Sequence, residues 1–419
     1  MEENTYYNKM APSTSYQKIN PVDYGIITNH KEIILGNNLF SNFHEIIRSL
    51  YPNSKYLIVT DKNIYENVIS RFPNIKKEHH LLTLPSPLKA ELLIADKIAN
   101  NFNNYDIAIA IGSGTINDLV KYGAHKAKKP YITFATSPSM NGYLSKNSSL
   151  LSNGHKQSYI ANSPIAAYFD IDILTNSPLR MIKSGLGDSL CTHTIRADWL
   201  LSHHLIGTKY SELPFDIIKQ LEIELFQNID KLNNKDPETI TILTKILILS
   251  GLSMLHIGDS SPASQGEHMI AHLYEILDPN NSNKSLHGEQ IAFTCLYMTK
   301  LQEEFLNHKE APKVKPQHIK IKDFSFLPKN LRTEFYRQCK KSQILDAKKI
   351  NLKLNNIWQD LKTNILSNYK SSELLLDILN KSNLPSSIHD LEWEPSTFET
   401  TKKNTQLTRN RFTFLNLEK

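Results

Sequence analysis

One stretch constrains this chain more than any other: Asp106-Ile107-Ala108-Ile109-Ala110-Ile111, followed directly by Gly112-Ser113-Gly114-Thr115 and a helical pattern from Ile116 to Ala127. An unbroken apolar run of this length reads as a strand covered on both faces, which belongs to a parallel sheet. Other short runs repeat the theme. Gly25–Thr28 and Lys31–Gly36 read as strands meeting glycine turns, Tyr56–Val59 ends at Thr60-Asp61, and Tyr131–Ala135 is apolar. Helical spacing fills the intervals at Leu39–Tyr51 and Leu88–Phe102. Past about residue 180 the pattern turns helical, with segments at Pro214–Leu232, Glu238–Met254, Glu267–Leu277, Gln290–Asn307, Leu331–Cys339, Ala347–Leu366 and Glu373–Leu379.

With 419 residues, 40% of them hydrophobic, there is material for two domains. The expected division is a loose tail over 1–20, an α/β domain over 21–180, and an all-α domain over 181–419. No stretch reads as eighteen or more unbroken apolar residues, and the polar opening, Met1 to Asn20, lacks the apolar core of a secretory signal. The three cysteines, Cys191, Cys295 and Cys339, form no CxxC pair, which suits a reducing cytoplasm. A net charge of +6 is small for this length. The basic run Lys313–Lys322 has no interleaved aromatics and reads as a solvated linker, so no nucleic-acid partner is expected.

Strand, Gly-rich turn and helix N-terminus together make an anion site. The glycines admit a phosphate close to the backbone, the first helical N–H groups point at it, and Ser113 and Thr115 add hydroxyls. The alternative is a plain turn after a buried strand. Asp61, at the end of its strand, can accept hydrogen bonds from a ribose and would repel a 2′-phosphate, favouring NAD(H) over NADP(H); it can equally cap the next helix. Asp188, His268 and His287 each stand beside glycines at the edge of a helical stretch, and one carboxylate with two imidazoles suits a borderline divalent ion. His268 and His272, four apart, offer a competing pair, but Met269 occupies the place where a zincin carries Glu.

The run Ile109 to Tyr122 resembles the cofactor motif of glycerol-1-phosphate dehydrogenases, relatives of iron-containing alcohol dehydrogenases, glycerol dehydrogenase and dehydroquinate synthase. Thr136–Tyr143, Gly185–Asp188, Gly266–His268, His287–Glu289 and Arg411–Leu415 agree in the same order. The resemblance implies a dehydroquinate synthase-like fold with the active site in the cleft between a Rossmann-like and a helical domain. It implies metal ligation by Asp188, His268 and His287, with zinc favoured over nickel or iron because no His stands four residues after Asp188. It assigns NAD(H) contacts to Asp61, Gly112, Ser113, Gly114, Thr115, Asp118, Thr136 and Ser139, and substrate contacts to Asn141, Ser145 and Lys156. His272 is the candidate proton relay, with a structural role as the alternative, and Lys156 can equally be a solvent-facing loop residue. The implied reaction, reduction of dihydroxyacetone phosphate to sn-glycerol 1-phosphate, would serve phospholipid biosynthesis in a homo-oligomer without a membrane span. Asp188, where carbocyclases of the superfamily carry Glu, favours a dehydrogenase over a dehydroquinate synthase-like enzyme. Asn141 departs from the family's usual Asp and leaves a related polyol dehydrogenase with another substrate, or a chain without activity, as rivals.

Overall fold

In the computed structural model, which describes residues 14–73, 75, 79–152, 155–314, 319–339 and 346–418, the apolar run becomes a strand buried at every position, Ile107–Gly112. The nine strands among the described residues, β1 to β9 in chain order, are Tyr16–Lys18, Glu32–Gly36, Tyr56–Asp61, His80–Leu84, Ile107–Gly112, Tyr131–Ala135, Asn147–Ser152, His155–Ile160 and Ala166–Asp170. Seven of them form one sheet in the order β1-β2-β9-β6-β5-β3-β4, with every pairing parallel except β1 on β2. Counted from β3, the order β4-β3-β5-β6-β9 is the doubly wound 2-1-3-4-5 arrangement. Its topological switch point falls between β3 and β5, whose carboxyl ends carry Asp61 and Gly112. Ligands bind at such points because the connections leave opposite faces of the sheet and open a crevice there.

The chain divides into two compact units. The first takes residues up to Gly185 together with Ile217–Asp259, and the second takes Leu186–Asp216 and everything from Ser260 onward. A single boundary near residue 180 therefore misplaces Ile217–Asp259, which belongs with the sheet. This segment contains the helix Pro237–Ile257, which by length and composition alone is long and apolar enough to cross a membrane. Residues such as Lys245 and Ser253 interrupt the apolar run, so no unbroken stretch is visible. Its most apolar window is 61% buried inside the structure.

Three further departures have physical causes. Tyr16–Lys18 lies within the expected loose tail, yet forms an edge strand with Tyr16 opposite Gly36. All three residues are exposed, so no period-2 alternation marks them. Gly25–Thr28 forms no strand: Asn20 caps a short 3₁₀ turn at Pro21–Tyr24, and Gly25 closes it at φ 71°. Finally, Asn147–Ser152 and His155–Ile160 make an antiparallel hairpin written mostly in polar residues. The basic run at Lys313–Lys322 lies partly outside the described residues.

Two apolar clusters line the sheet of the first unit, one including Ile109, Ile111 and Phe134, the other Val59, Ala110 and Ile116. The second unit is helical around Trp358, Trp393, Phe293 and Phe414, with Trp393 stacked on Tyr274 at 3.8 Å between ring centroids.

Candidate metal centre and nucleotide-binding turn

Within the second unit, three helix ends deliver three side chains to one point. Asp188 stands in the last turn of helix Leu179–Ser189, His268 in the first turn of Gly266–Leu277, and His287 opens His287–Leu306. One ligand atom from each lies within 4.8 Å of the others. His268 Nε2 is 3.4 Å, and His287 Nε2 3.9 Å, from the same Asp188 oxygen, Oδ1. The approach depends on glycine: a Cβ on Gly187 would lie 2.0 Å from the carbonyl oxygen of Gly288.

Behind His268 stands a carboxylate that the sequence reading did not single out. Glu267 Oε1 meets His268 Nδ1 at 2.8 Å and also accepts the Gln265 N–H at 2.7 Å. A carboxylate on Nδ1 places the proton there and leaves the Nε2 lone pair directed at the cluster, the arrangement typical of metal-ligating histidines. Burial alone would lower the His268 pKa, but the bonds to Asp188 and Glu267 outweigh it and raise it. Burial likewise favours the neutral acid at Glu267, yet contact with His268 keeps its pKa below the usual carboxylate value.

The donor set fits a divalent ion: a buried carboxylate and two imidazoles, oriented by an outer carboxylate. Two other groups of described residues also converge, Cys191 with Glu267 and His268, and His272 with Glu275 and His287. Each is the weaker site. Burial pushes the Cys191 thiol well above its ordinary pKa, and Glu267 is occupied by His268 and Gln265. In the other group, His272 Nδ1 is already engaged by Glu275 Oε2 at 3.1 Å. His272 stacks on His287, 5.3 Å between centroids with 17° between planes. Burial lowers its pKa to about 4, so it is neutral near pH 7.

In the first unit, Ser113 caps the helix Gly114–Lys126 with its backbone while its side chain makes no capping bond. The first-turn N–H groups thus remain available to an anion. Protein packing also demands the glycines: a Cβ on Gly112 would come within 2.5 Å of Ile116 Cβ, and one on Gly114 within 2.7 Å of Met140 Sδ. Thr115 and Ser139 are partly exposed, whereas Thr136 is buried with its N–H on the Gly112 carbonyl at 3.1 Å. Asp61 caps the helix Lys62–Asn67 by accepting the Ile64 N–H at 3.0 Å.

The remaining expected residues fall into two groups. Asp118 and Ser145 are buried and tied into the fold. Asp118 accepts the Ser149 N–H at 3.2 Å and pairs with Lys121 at 3.7 Å; burial nonetheless raises its pKa to about 6. The Ser145 hydroxyl bonds the Gly142 and Asn147 carbonyls, both at 3.0 Å, where buried Lys121 also donates. Asn141 is partly exposed ahead of the 3₁₀ turn Gly142–Leu144, and Lys156 is exposed on β8.

Comparison with known proteins identifies relatives by sequence and by fold. The model of the iron-containing alcohol dehydrogenase family matches residues 34–178. Glycerol-1-phosphate dehydrogenase (NAD(P)+) of Sulfolobus acidocaldarius is 30% identical over 280 residues, covering 65% of this chain and 78% of that protein. The enzyme of the same name from Halalkalibacterium halodurans is 32% identical over 228 residues, 54% of this chain and only 56% of its own length. In fold, the chain is similar to a probable glycerol dehydrogenase of Sinorhizobium meliloti 1021, with a TM-score of 0.61, 14% identity, and 88% of this chain and 87% of that one covered. It is also similar to a sulfoacetaldehyde reductase of Bifidobacterium kashiwanohense solved in complex with NAD+, with a TM-score of 0.58, 13% identity, and coverage of 89% and 90%.

Proposed function

The chain belongs to the glycerol-1-phosphate dehydrogenase family, and on that premise we propose that it reduces dihydroxyacetone phosphate to sn-glycerol 1-phosphate with NADH and a divalent metal ion. The observation that carries this reading is the Asp188–His268–His287 cluster with Glu267 behind it. A zinc, nickel or iron ion held there supplies Lewis acidity toward a substrate oxygen.

The rest of the work falls to the chain. Glu267 holds His268 in the tautomer that presents Nε2. The Ser113–Thr115 turn, with its helix N–H groups, receives the dinucleotide pyrophosphate, and Asp61 meets the adenosine ribose. Thr136 and Ser139, after β6, would contact the nicotinamide end of a bound cofactor. Bound there, the nicotinamide cofactor would supply the hydride to the substrate carbonyl, whose oxygen would take a proton to give the alcohol. His272, whose Nδ1 is held by Glu275, is the candidate to relay that proton. Asn141 donates or accepts a neutral hydrogen bond at the substrate, where relatives are expected to use a carboxylate. Among the described residues none of the three buried cysteines is in a disulfide, which suits a cytoplasmic reaction.

The test is direct. Purified protein loaded in turn with zinc, nickel or iron should oxidise NADH when dihydroxyacetone phosphate is added, and the product should be the sn-1 phosphate. No oxidation with any of the three metals would sink the reading.

A further inference from the structure

Two cations of the second unit have no assigned role. Arg409 and Arg411 lie in the C-terminal segment, both partly buried. Arg409 Nη1 donates to Ser264 Oγ at 3.0 Å, and Arg411 Nη2 to Ser260 Oγ at 2.9 Å. Ser260–Ser264 immediately precedes the helix Gly266–Leu277 that carries His268, so both guanidinium groups rest on the approach to the metal ligands. The charge of Arg409 also reaches Glu267, His272 and Glu275, on the first three turns of that helix.

This placement is costly unless something offsets it. Of the five N–H donors on Arg409, one makes a hydrogen bond to a described residue, and among the described residues no carboxylate lies within ion-pair distance. Glu267 faces it electrostatically, but that carboxylate is engaged by His268 and Gln265. Burial first, then the neighbouring Arg411, pulls the Arg409 pKa down to about 9, the effect of two like charges held together out of water. The fold nevertheless fixes them there. Buried Asp198 accepts the Gly266 N–H at 3.0 Å and the Phe414 N–H at 2.9 Å, so one carboxylate bolts both the ligand helix and the arginine-bearing segment. Paired, planar guanidinium groups on partly exposed residues, flanked by serine hydroxyls, match a tetrahedral dianion.

We propose that Arg409 and Arg411 form the subsite for the phosphate of the substrate, with Ser260 and Ser264 holding the two guanidinium planes. The substrate class is a phosphomonoester of a short ketose. The assignment rests on the reading above for the identity of that ketose, but not for the binding of phosphate itself.

The wild-type, metal-loaded protein decides the question without a variant. It is treated with the arginine reagent phenylglyoxal, with and without inorganic phosphate, and modification is read peptide by peptide by mass. Phosphate should protect Arg409 and Arg411 at least about fivefold; equal modification overturns the subsite even if dihydroxyacetone phosphate is a good substrate. Arg409→Gln and Arg411→Gln then test the consequence. Losing a charge-assisted bond should cut preference for dihydroxyacetone phosphate over dihydroxyacetone about tenfold or more in kcat/KM. Equal losses on both substrates would overturn the assignment. If dihydroxyacetone phosphate is not turned over at all but phosphate still protects the pair, the subsite stands and the ketose is another one.

Discussion

A Cβ placed on Gly187 would sit 2.0 Å from the carbonyl oxygen of Gly288, so the backbones beside Asp188 and His287 touch. Each glycine is next to a metal-ligand candidate, and the contact sets the distance between the two donors. Gly187→Ala must push the helices apart or twist one of them, since the obstacle is backbone and not a flexible side chain. A misplacement of about 1 Å is enough to spoil a metal site built to tight tolerance. The expected outcome is a folded protein with sub-stoichiometric metal, seen by elemental analysis beside an unchanged far-ultraviolet circular dichroism spectrum. Full metal content in this variant would show that the contact does not govern the site.

Glu267→Gln should weaken metal binding without abolishing it. The amide can still meet the Gln265 N–H, but it no longer offers His268 a charged acceptor. Loss of such an outer partner typically costs about 10- to 100-fold in metal affinity. Competition with a chromogenic chelator measures it. Asp188→Ala, His268→Ala and His287→Ala should each leave no bound metal under the same conditions, and a Glu267→Gln protein as tight as wild type would remove the outer carboxylate from the account.

Asp61 carries two predictions, one for its helix cap and one for its proposed contact with the cofactor ribose. One oxygen caps the helix at Ile64, so Asp61→Ala should cost about 1 kcal/mol of stability. The carboxylate would also meet a 2′-phosphate unfavourably, so the wild type should prefer NADH to NADPH and the variant should narrow the gap. Chemical denaturation reads the first and kcat/KM for both cofactors the second. An Asp61→Ala protein that is destabilised but keeps the full cofactor preference would leave the residue a cap only.

What the sequence revealed, and what it hid, follows from where each signal resides. The central strand and the helix Ala347–Leu366 were legible because burial on both faces, or at helical spacing, is written directly into residue type. The Asn147–Ile160 hairpin was not, because a polar strand pair held by main-chain bonds leaves no apolar pattern. The capping role of Asp61 was readable as an alternative, since an acid before a helix is a local feature. Asp118, next to the phosphate turn in sequence, is instead turned into the fold against Lys121 and Ser149, and spacing alone could not give that direction. Arg409 and the Gly187–Gly288 contact depend on elements distant in sequence, so only the folded chain brings them into view, whereas Glu267 is adjacent to His268 and stayed hidden because spacing does not say which way a side chain turns.

His30 sets an acid limit on stability. Burial lowers its pKa from 6.5 to about 4, and among the described residues neither ring nitrogen has a hydrogen-bond partner. The folded state therefore binds this proton more weakly than the unfolded state. The contribution is fully present above pH 6.5, falls as the pH drops through the window to about 4, and is absent below it. The loss is at most about 3 kcal/mol. His30→Leu should flatten the stability curve in that window while leaving the neutral-pH value within about 1 kcal/mol of wild type. Urea midpoints at half-unit pH steps would show it, and parallel curves for the two proteins would refute the account.

Asn141 offers the sharpest test of substrate. It stands ahead of the Gly142–Leu144 turn, partly exposed, where relatives are expected to place a carboxylate. An amide keeps the shape but accepts a hydrogen bond from a substrate hydroxyl less strongly than a carboxylate does. The difference between a charge-assisted and a neutral bond is roughly 1 kcal/mol, or about five- to tenfold in rate. Asn141→Asp should therefore raise kcat/KM for dihydroxyacetone phosphate by about that factor, with metal content unchanged because Asn141 lies outside the ligand set. The opposite outcome is equally informative. If the Asp variant loses turnover, the amide is matched to its substrate, and a ketose bearing a neutral or cationic group at that position should outperform dihydroxyacetone phosphate in the wild type.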